Sequence, residues 1–322
     1  MITLYDAVGS SIIRRTETGD VRPETIWIDL LSPSDAEEAA IETAIGLDVP
    51  TRAEMREIEA SNRFYNENGS HFLTAFIVHG DKDAIATSNV TFILAGKRLI
   101  TVRYGEPRAF AIVSDRACRI PDGCTTAAEI MMTLIETLIQ RQADLIERLQ
   151  DEIETSAPQI FGQRDARSKQ GRRLEVMLRA IGRHGDVASR VQESTTSLHR
   201  TMLYLADAAK QRGEPPTLIS RIESADRDIL SLSEHVRFVS GRTAFLLDAT
   251  LGMISIEQNQ IIKLFSVMAV TLMPPTLIAS AYGMNFKHMP ELDWLIGYPL
   301  AILAMIVSAI VPFLYFRRKG WL

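Results

Sequence analysis

The sequence predicts a membrane protein of mixed α+β and all-α parts. An N-terminal α/β domain leads into long helices, and the last of these becomes the first of two C-terminal spans. Three observations carry this prediction. Two runs, 264–286 and 294–316, contain no Asp, Glu, Lys or Arg, and each exceeds the ~20 residues a helix needs to cross a ~30 Å hydrocarbon core. Upstream, short β-type runs give way after residue 124 to apolar residues at helical spacing. Finally, no Pro or strong turn signal interrupts the chain between Gly213-Glu214-Pro215-Pro216 and Pro274.

Residues 1–124 read as the α/β domain. β-type runs occur at 2–5, 26–30, 72–78, 90–94 and 99–104, and Ala95-Gly96-Lys97 between the last two marks a hairpin. Ser32-Pro33 followed by Ser34-Asp35-Ala36-Glu37-Glu38 marks a helix start. Ser32 is expected as its cap, Pro33 as its first helical residue, and the acids suit the positive end of the helix dipole. From 125 to 216 the period is helical. Ile130, Leu134, Leu138, Leu145, Ile146, Leu149 and Ile153 share a face, and a second helical stretch covers 164–211. The two are expected as an antiparallel pair. A helix over 217–281 would measure about 100 Å at 1.5 Å per residue, too long for any compact domain. It divides into a stalk, 217–260, and a first span, 261–282. An external loop (283–295), a second span (296–316) and a basic tail (317–322) follow.

Composition excludes other classes. A hydrophobic share of 46% rules out disorder, and 18 Gly with 13 Pro are ordinary counts. Cys118 and Cys124 match neither a disulfide framework nor a zinc spacing, and read as thiols in a reducing compartment. The opening MITLYDAVGSSII lacks the basic and apolar regions of a signal peptide. The net charge of -5 is uneven: 255–322 holds five basic and three acidic residues, leaving 30 basic and 37 acidic upstream. An acidic domain on a membrane anchor does not suit nucleic acid, and it does suit the handling of cations. No nucleophile–base set, nucleotide loop or metal-binding His pair is visible, so neither an enzyme nor an organic cofactor is expected. Lys263 at the start of the first span and Arg317, Arg318 and Lys319 just after the second form a basic cytoplasmic collar. The positive-inside rule then puts both termini in the cytoplasm and the loop, with Glu291 and Asp293, outside. Trp294 and Tyr298 at one interface, and Tyr315 and Trp321 at the other, stand where an aromatic belt would.

Within the first span, steps of three and four from Asn259 reach Ile262, Ser266, Ala269, Met273, Thr276 and Ser280. This stripe is narrow, small or polar, while Leu264, Val267, Val270, Leu272, Leu277 and Ile278 occupy the other faces. Close helix packing would use such residues, and so would the wall of a pore. Asn259 and Asn285 at the two ends favour the pore. Two spans cannot enclose a channel, so several copies must surround an axis.

At the outer end stand Tyr282-Gly283-Met284-Asn285-Phe286, then Met289-Pro290-Glu291-Leu292 and Trp294. The run YGMNF-x-x-MPEL-x-W, the single span after it and the ending RRKGWL resemble the CorA family of magnesium channels, most closely over 256–322. The resemblance implies a homopentameric funnel in the lipid bilayer of a bacterial-type inner membrane. Its cargo would be Mg²⁺, with Co²⁺ and Ni²⁺ as further ions, and uptake would follow membrane potential. Gly283, Met284 and Asn285 become the selectivity motif, with Asn285 ringing the mouth. Neutral amide oxygens can bond to the tightly held waters of Mg²⁺, whereas carboxylates there would hold the ion too strongly to release it. Gly283 is expected to permit the turn that aims Asn285 at the axis. Asn259, Met273 and Thr276 match polar or constricting sites, and Ile262 and Phe265 fall at the hydrophobic gate. Ser280 stands where relatives commonly have Gly, and Lys287 where an acid is often found.

The family's closure by divalent ions bound between cytoplasmic domains also implies paired carboxylates. Glu223, Asp226 and Asp228 on the stalk, with Glu54, Glu57 and Glu59 in the head, are the candidates. Two other readings compete. One is a zinc transporter of the same superfamily, whose members usually vary the position held here by Met284. The other is a non-conducting, membrane-anchored assembly protein, which would need neither ion flux nor Asn285.

Overall fold

The computed structural model describes residues 1–9, 11–16, 21–57, 59–80, 85–119, 126–161, 170–285, 289–290 and 294–321. Seven strands form one mixed sheet: β1 (Ile2–Val8), β2 (Ser11–Arg15), β3 (Thr25–Leu31), β4 (Phe64–Glu67), β5 (Ser70–His79), β6 (Ala86–Ala95) and β7 (Arg98–Arg103). Their order is β2-β1-β3-β7-β6-β5-β4. Only β3 and β7 pair in parallel, with Trp27 opposite Leu99. Both faces of the central strands are covered, which explains their nearly continuous apolar sequences. Tyr5, Trp27, Leu73, Phe92 and Leu99 join one core, with α3 (Arg108–Arg119) and the long helices. Leu4, Ile28, Leu30, Ile93 and Val102 join the other, with Ile41 of α1 (Asp35–Ile45) and Met55.

The expected strands are present, and two more, β2 and β4, border them. The hairpin turns at Ala95–Gly96–Lys97, where Gly96 takes the left-handed φ of 56°. The start of α1 corrects the sequence reading. Its cap is Ser34, whose hydroxyl accepts from Glu37 N–H at 3.4 Å while Ser34 N–H donates to the Glu37 carboxylate at 2.9 Å. Ser32 lies outside the helix at φ 43°, and Asp35 rather than Pro33 begins it. Pro33 as a first helical residue favoured Ser32, but the capping box pairs Ser34 with Glu37 three residues on.

Two buried ion pairs pin the sheet. Arg103 holds Asp29 through Nε and Nη2. Arg15 Nε donates to Asp6 at 2.6 Å, and Thr25 Oγ1 donates to the same carboxylate at 2.6 Å. Burial acts to raise the Asp6 pKa, but the Arg15 and Thr25 hydrogen bonds and the charges of Arg15 and Arg22 outweigh it and hold the group below the usual carboxylate range.

A helical bundle packs on the first core. Its members are α4 (Ala127–Phe161), α5 (Gln170–Gln211) and the beginning of α6 (Pro216–Tyr282); α2 (Ala60–Arg63) is a single turn. Gln142 bonds to Ser194, and Glu152 lies 3.1 Å from His184, so α4 and α5 are antiparallel. Arg221 pairs with Glu136 and Arg242 with Glu154, so α6 runs parallel to α4. Residues 164–169 of the expected second helix, and Cys124, lie outside the described residues. The last helix is α7 (Gly297–Arg318). The chain forms two compact units, Met1–Phe161 with Arg179–Leu246, and Gly162–Leu178 with Leu247–Leu322.

Candidate functional site

In the second unit, α6 and α7 are both long and apolar enough to cross a membrane. Pro274 and Pro275 lie inside α6, and their missing N–H groups leave the carbonyls of Val270 and Thr271 without helical donors. Thr276 Oγ1 donates to Leu272 O at 2.7 Å, so its hydroxyl hydrogen is spent on the backbone and its oxygen lone pairs remain. Lys263 Nζ lies 5.9 Å from the centre of the Trp321 ring. The chain beyond α7 has therefore returned to the start of the first apolar run, and the two helices are antiparallel.

One face of α6 is covered. Val267 is buried, and Thr271, Pro274, Pro275 and Ile278 are half-buried, all on a single helical face. The stripe singled out from sequence lies roughly 180° away, at about 100° of rotation per residue. Asn259, Ile262, Ala269, Met273, Thr276 and Ser280 are exposed, with Met273 at 73%; Phe265, exposed, and Ser266, half-buried, flank them. A single chain thus covers a narrow face of the span and leaves the polar stripe open, together with Leu264, Val270, Leu272 and Leu277.

The motif at the end of α6 is exposed from Tyr282 through Asn285. Here a second expectation needs correction. Gly283 is not in the left-handed region, so the turn does not depend on that freedom. A Cβ at Gly283 would stand 3.2 Å from Ala279 O, the carbonyl that accepts Gly283 N–H at 3.0 Å, a contact tight enough to need a shift of a few tenths of an ångström. Phe286, Lys287, His288, Glu291 and Asp293 lie outside the described residues.

The candidate regulatory acids are dispersed in one chain. Asp226 Oδ1 lies 2.6 Å from His199 Nδ1. Glu54 accepts from Thr51 N–H and its hydroxyl at 2.8 and 2.9 Å, and Glu57 accepts from the Asn62 amide. Glu223 and Asp228 are exposed on α6, and Glu59 is exposed before α2. Among the described residues, no three His, Cys, Asp or Glu come together.

Sequence reasoning missed one feature. In the first unit, α6 buries Ile222, Ile229, Val236, Val239 and Leu246, yet Leu230, Phe238 and Phe245 are 45%, 61% and 61% exposed on another face. The seven-residue spacing of the two phenylalanines was the available signal, but within a long apolar helix it was hidden among core positions.

Comparison with known proteins places these features. The profile of the CorA-like Mg²⁺ transporter protein family matches residues 23–318. The magnesium transport protein CorA of Yersinia pseudotuberculosis is 36% identical over 309 residues, 95% of each chain. That of Escherichia coli K12 is 36% identical over 315 residues, 96% of each chain. The complete structure of the CorA magnesium transporter from Methanocaldococcus jannaschii superimposes with a TM-score of 0.70 at 18% identity, covering 100% of this chain and 99% of that one.

Proposed function

The chain belongs to the CorA-like Mg²⁺ transporter family, and from that premise we propose that it is a potential-driven Mg²⁺ channel. It transports Mg²⁺ through a pore built from five copies, each donating the open stripe of α6. The observation that carries this reading is the opposition of the two faces of α6. The face of Val267, Thr271, Pro274, Pro275 and Ile278 is covered within the chain, the exposed Leu264, Val270, Leu272 and Leu277 suit lipid, and Asn259, Ile262, Ala269, Met273, Thr276 and Ser280 are left for an axis shared with other copies.

Each part of the stripe has a chemical role in this reading. Amide oxygens of Asn285 at the mouth accept hydrogen bonds from the water shell of Mg²⁺, which dehydrates reluctantly. Thr276, with its hydrogen already committed to Leu272 O, offers only oxygen lone pairs to the ion or its waters. Ile262 and Phe265 close the path by excluding water. Neither apolar run contains an Asp, Glu, His, Lys or Arg to couple protons. A divalent cation crossing an inside-negative potential gains about 4.6 kcal/mol per 100 mV, twice the ~2.3 of a single charge, and this drives uptake.

Both termini lie in the cytoplasm of a bacterial-type inner membrane. Mg²⁺ bound between copies, with ligands drawn from Glu223, Asp226, Asp228, Glu54, Glu57 and Glu59, biases the pore towards closure. The dispersal of these acids within one chain fits sites completed only by a neighbour. Met284 keeps the magnesium form of the motif, and the relatives matched over most of the chain are magnesium transport proteins, so the zinc reading is set aside. Liposomes with an imposed inside-negative potential test the proposal. Mg²⁺ influx should rise with potential without ATP and exceed that of Zn²⁺; influx indifferent to potential would refute it.

A further inference from the structure

The segment after α7 is a built cap. Trp321 N–H donates to Phe316 O at 3.1 Å and Gly320 N–H to Arg317 O at 3.2 Å, with Gly320 at φ 72°. This is the paired bonding of a Schellman motif, in which a left-handed glycine lets the chain reverse over the last helical turn. Trp321 stacks on Phe316 with ring centroids 5.2 Å apart, supplying the apolar contact that accompanies such caps. The reversal places the indole beside two ammonium groups. Lys263 Nζ is 5.9 Å and Lys319 Nζ 5.0 Å from its centroid, within the range of cation–π attraction.

Lys263, Arg317, Arg318 and Lys319 are exposed, and none has an acidic partner among the described residues. The partial negative charge at the end of α7 amounts to about half a unit, far less than four cations. Immediately along α7, Phe313, Leu314 and Tyr315 are 42%, 48% and 59% exposed. Open apolar surface, cationic groups and an indole therefore occur together at one helix end.

We propose that this cluster is a binding site for an anionic phospholipid. The headgroup phosphate is held by Lys263 and Lys319 beside Trp321, and an acyl chain lies over Phe313 and Leu314. A free phosphate would use only the charges, whereas a lipid also covers the apolar surface beside them. Because Lys263 precedes the first apolar run and Lys319 follows the second, one bound headgroup ties the same-side ends of both spans together. The inference rests on the reading of α6 and α7 as membrane spans.

The test uses the full chain in nanodiscs of phosphatidylcholine, with or without phosphatidylglycerol. Insertion into phosphatidylcholine discs reports the spans by itself, so failure to insert would refute the membrane reading. Lipid retention, measured by native mass spectrometry, and the thermal midpoint report the site. The wild-type chain should retain phosphatidylglycerol over phosphatidylcholine by at least tenfold, falling as salt rises, and should melt higher in its presence. The double variant Lys263→Gln, Lys319→Gln should lose most of that preference, and Lys263→Arg, Lys319→Arg should keep it. Trp321→Leu, which leaves the charges, should weaken it several-fold. A wild-type chain without preference, or a Gln variant with undiminished preference, would overturn the proposal. So would an equal thermal shift from inorganic phosphate or glycerol phosphate in phosphatidylcholine discs, which would assign the site to a soluble anion.

Discussion

Replacing Phe238 by Ser tests the assembly on which a pore depends. Phe238 is 61% exposed in a single chain. With about 200 Å² for the whole side chain, roughly 120 Å² of apolar surface awaits a neighbour. At about 25 cal/mol per Å², covering it would contribute up to ~3 kcal/mol per copy, an upper bound because partial burial gives less. That is about a hundredfold in an association constant for each copy, compounded around a closed ring. Most of the ring already meets water in the lone chain, so Phe238→Ser should change the stability of the subunit by only about 0.5 kcal/mol. Native mass spectrometry across a dilution series would read the effect, with the variant falling to smaller species at concentrations where the wild type stays assembled. Phe238→Leu should behave nearly as wild type. If Phe238→Ser dissociates at the same dilution as wild type, this face of α6 is not buried between copies and the reasoning fails.

Three further outcomes are expected. Gly283→Val would place a Cβ 3.2 Å from Ala279 O and branch it further, so Mg²⁺ flux should collapse in assembled channels; normal flux would show that the motif tolerates bulk. Asp6→Asn would leave the Arg15 guanidinium, 12% exposed, beside a neutral amide, at a cost of about 3–5 kcal/mol in urea unfolding. Because the Asp6 pKa is lowered on folding, its contribution is complete above the usual carboxylate range and is lost as pH falls through the folded-state value. The variant should therefore show a flatter loss of stability in acid, and identical acid profiles would contradict the assignment. Replacing Glu223, Asp226 and Asp228 together by Ala should weaken inhibition of flux by internal Mg²⁺; unchanged inhibition would move the sensor to Glu54, Glu57 and Glu59.

Legibility in the sequence followed physical contrast. The long helix expected over 217–281 matches α6, Pro216–Tyr282, because nothing but the proline pair opposes helix there. Strands β3, β5, β6 and β7 were legible because burial on both faces demands apolar runs. By contrast, β2 reads SIIRR and β4 reads FYNE, edge strands whose pairing comes from the sheet and not from their own composition. Helix α3 carried a readable signal that the sequence reading passed over: Ala109, Phe110, Val113, Ser114 and Ala117 recur at helical spacing opposite the charged Arg108, Asp115, Arg116 and Arg119. At the candidate site, the stripe on α6 was readable from residue type, but the covered face opposite it depends on tertiary packing. The demand for space at Gly283 depends on the carbonyl of Ala279. Neither is encoded at the residue concerned.

The central claim is that Asn285 forms the mouth of a Mg²⁺ pore made by α6. Mg²⁺ influx into liposomes at a fixed inside-negative potential, compared between the wild-type chain and Asn285→Ala, tests it most directly. The variant's assembly should first be verified by native mass measurement. The assembled variant should lose most of its influx, because no other exposed side-chain amide stands at that end of the stripe among the described residues. Wild-type influx through an assembled Asn285→Ala channel would contradict it.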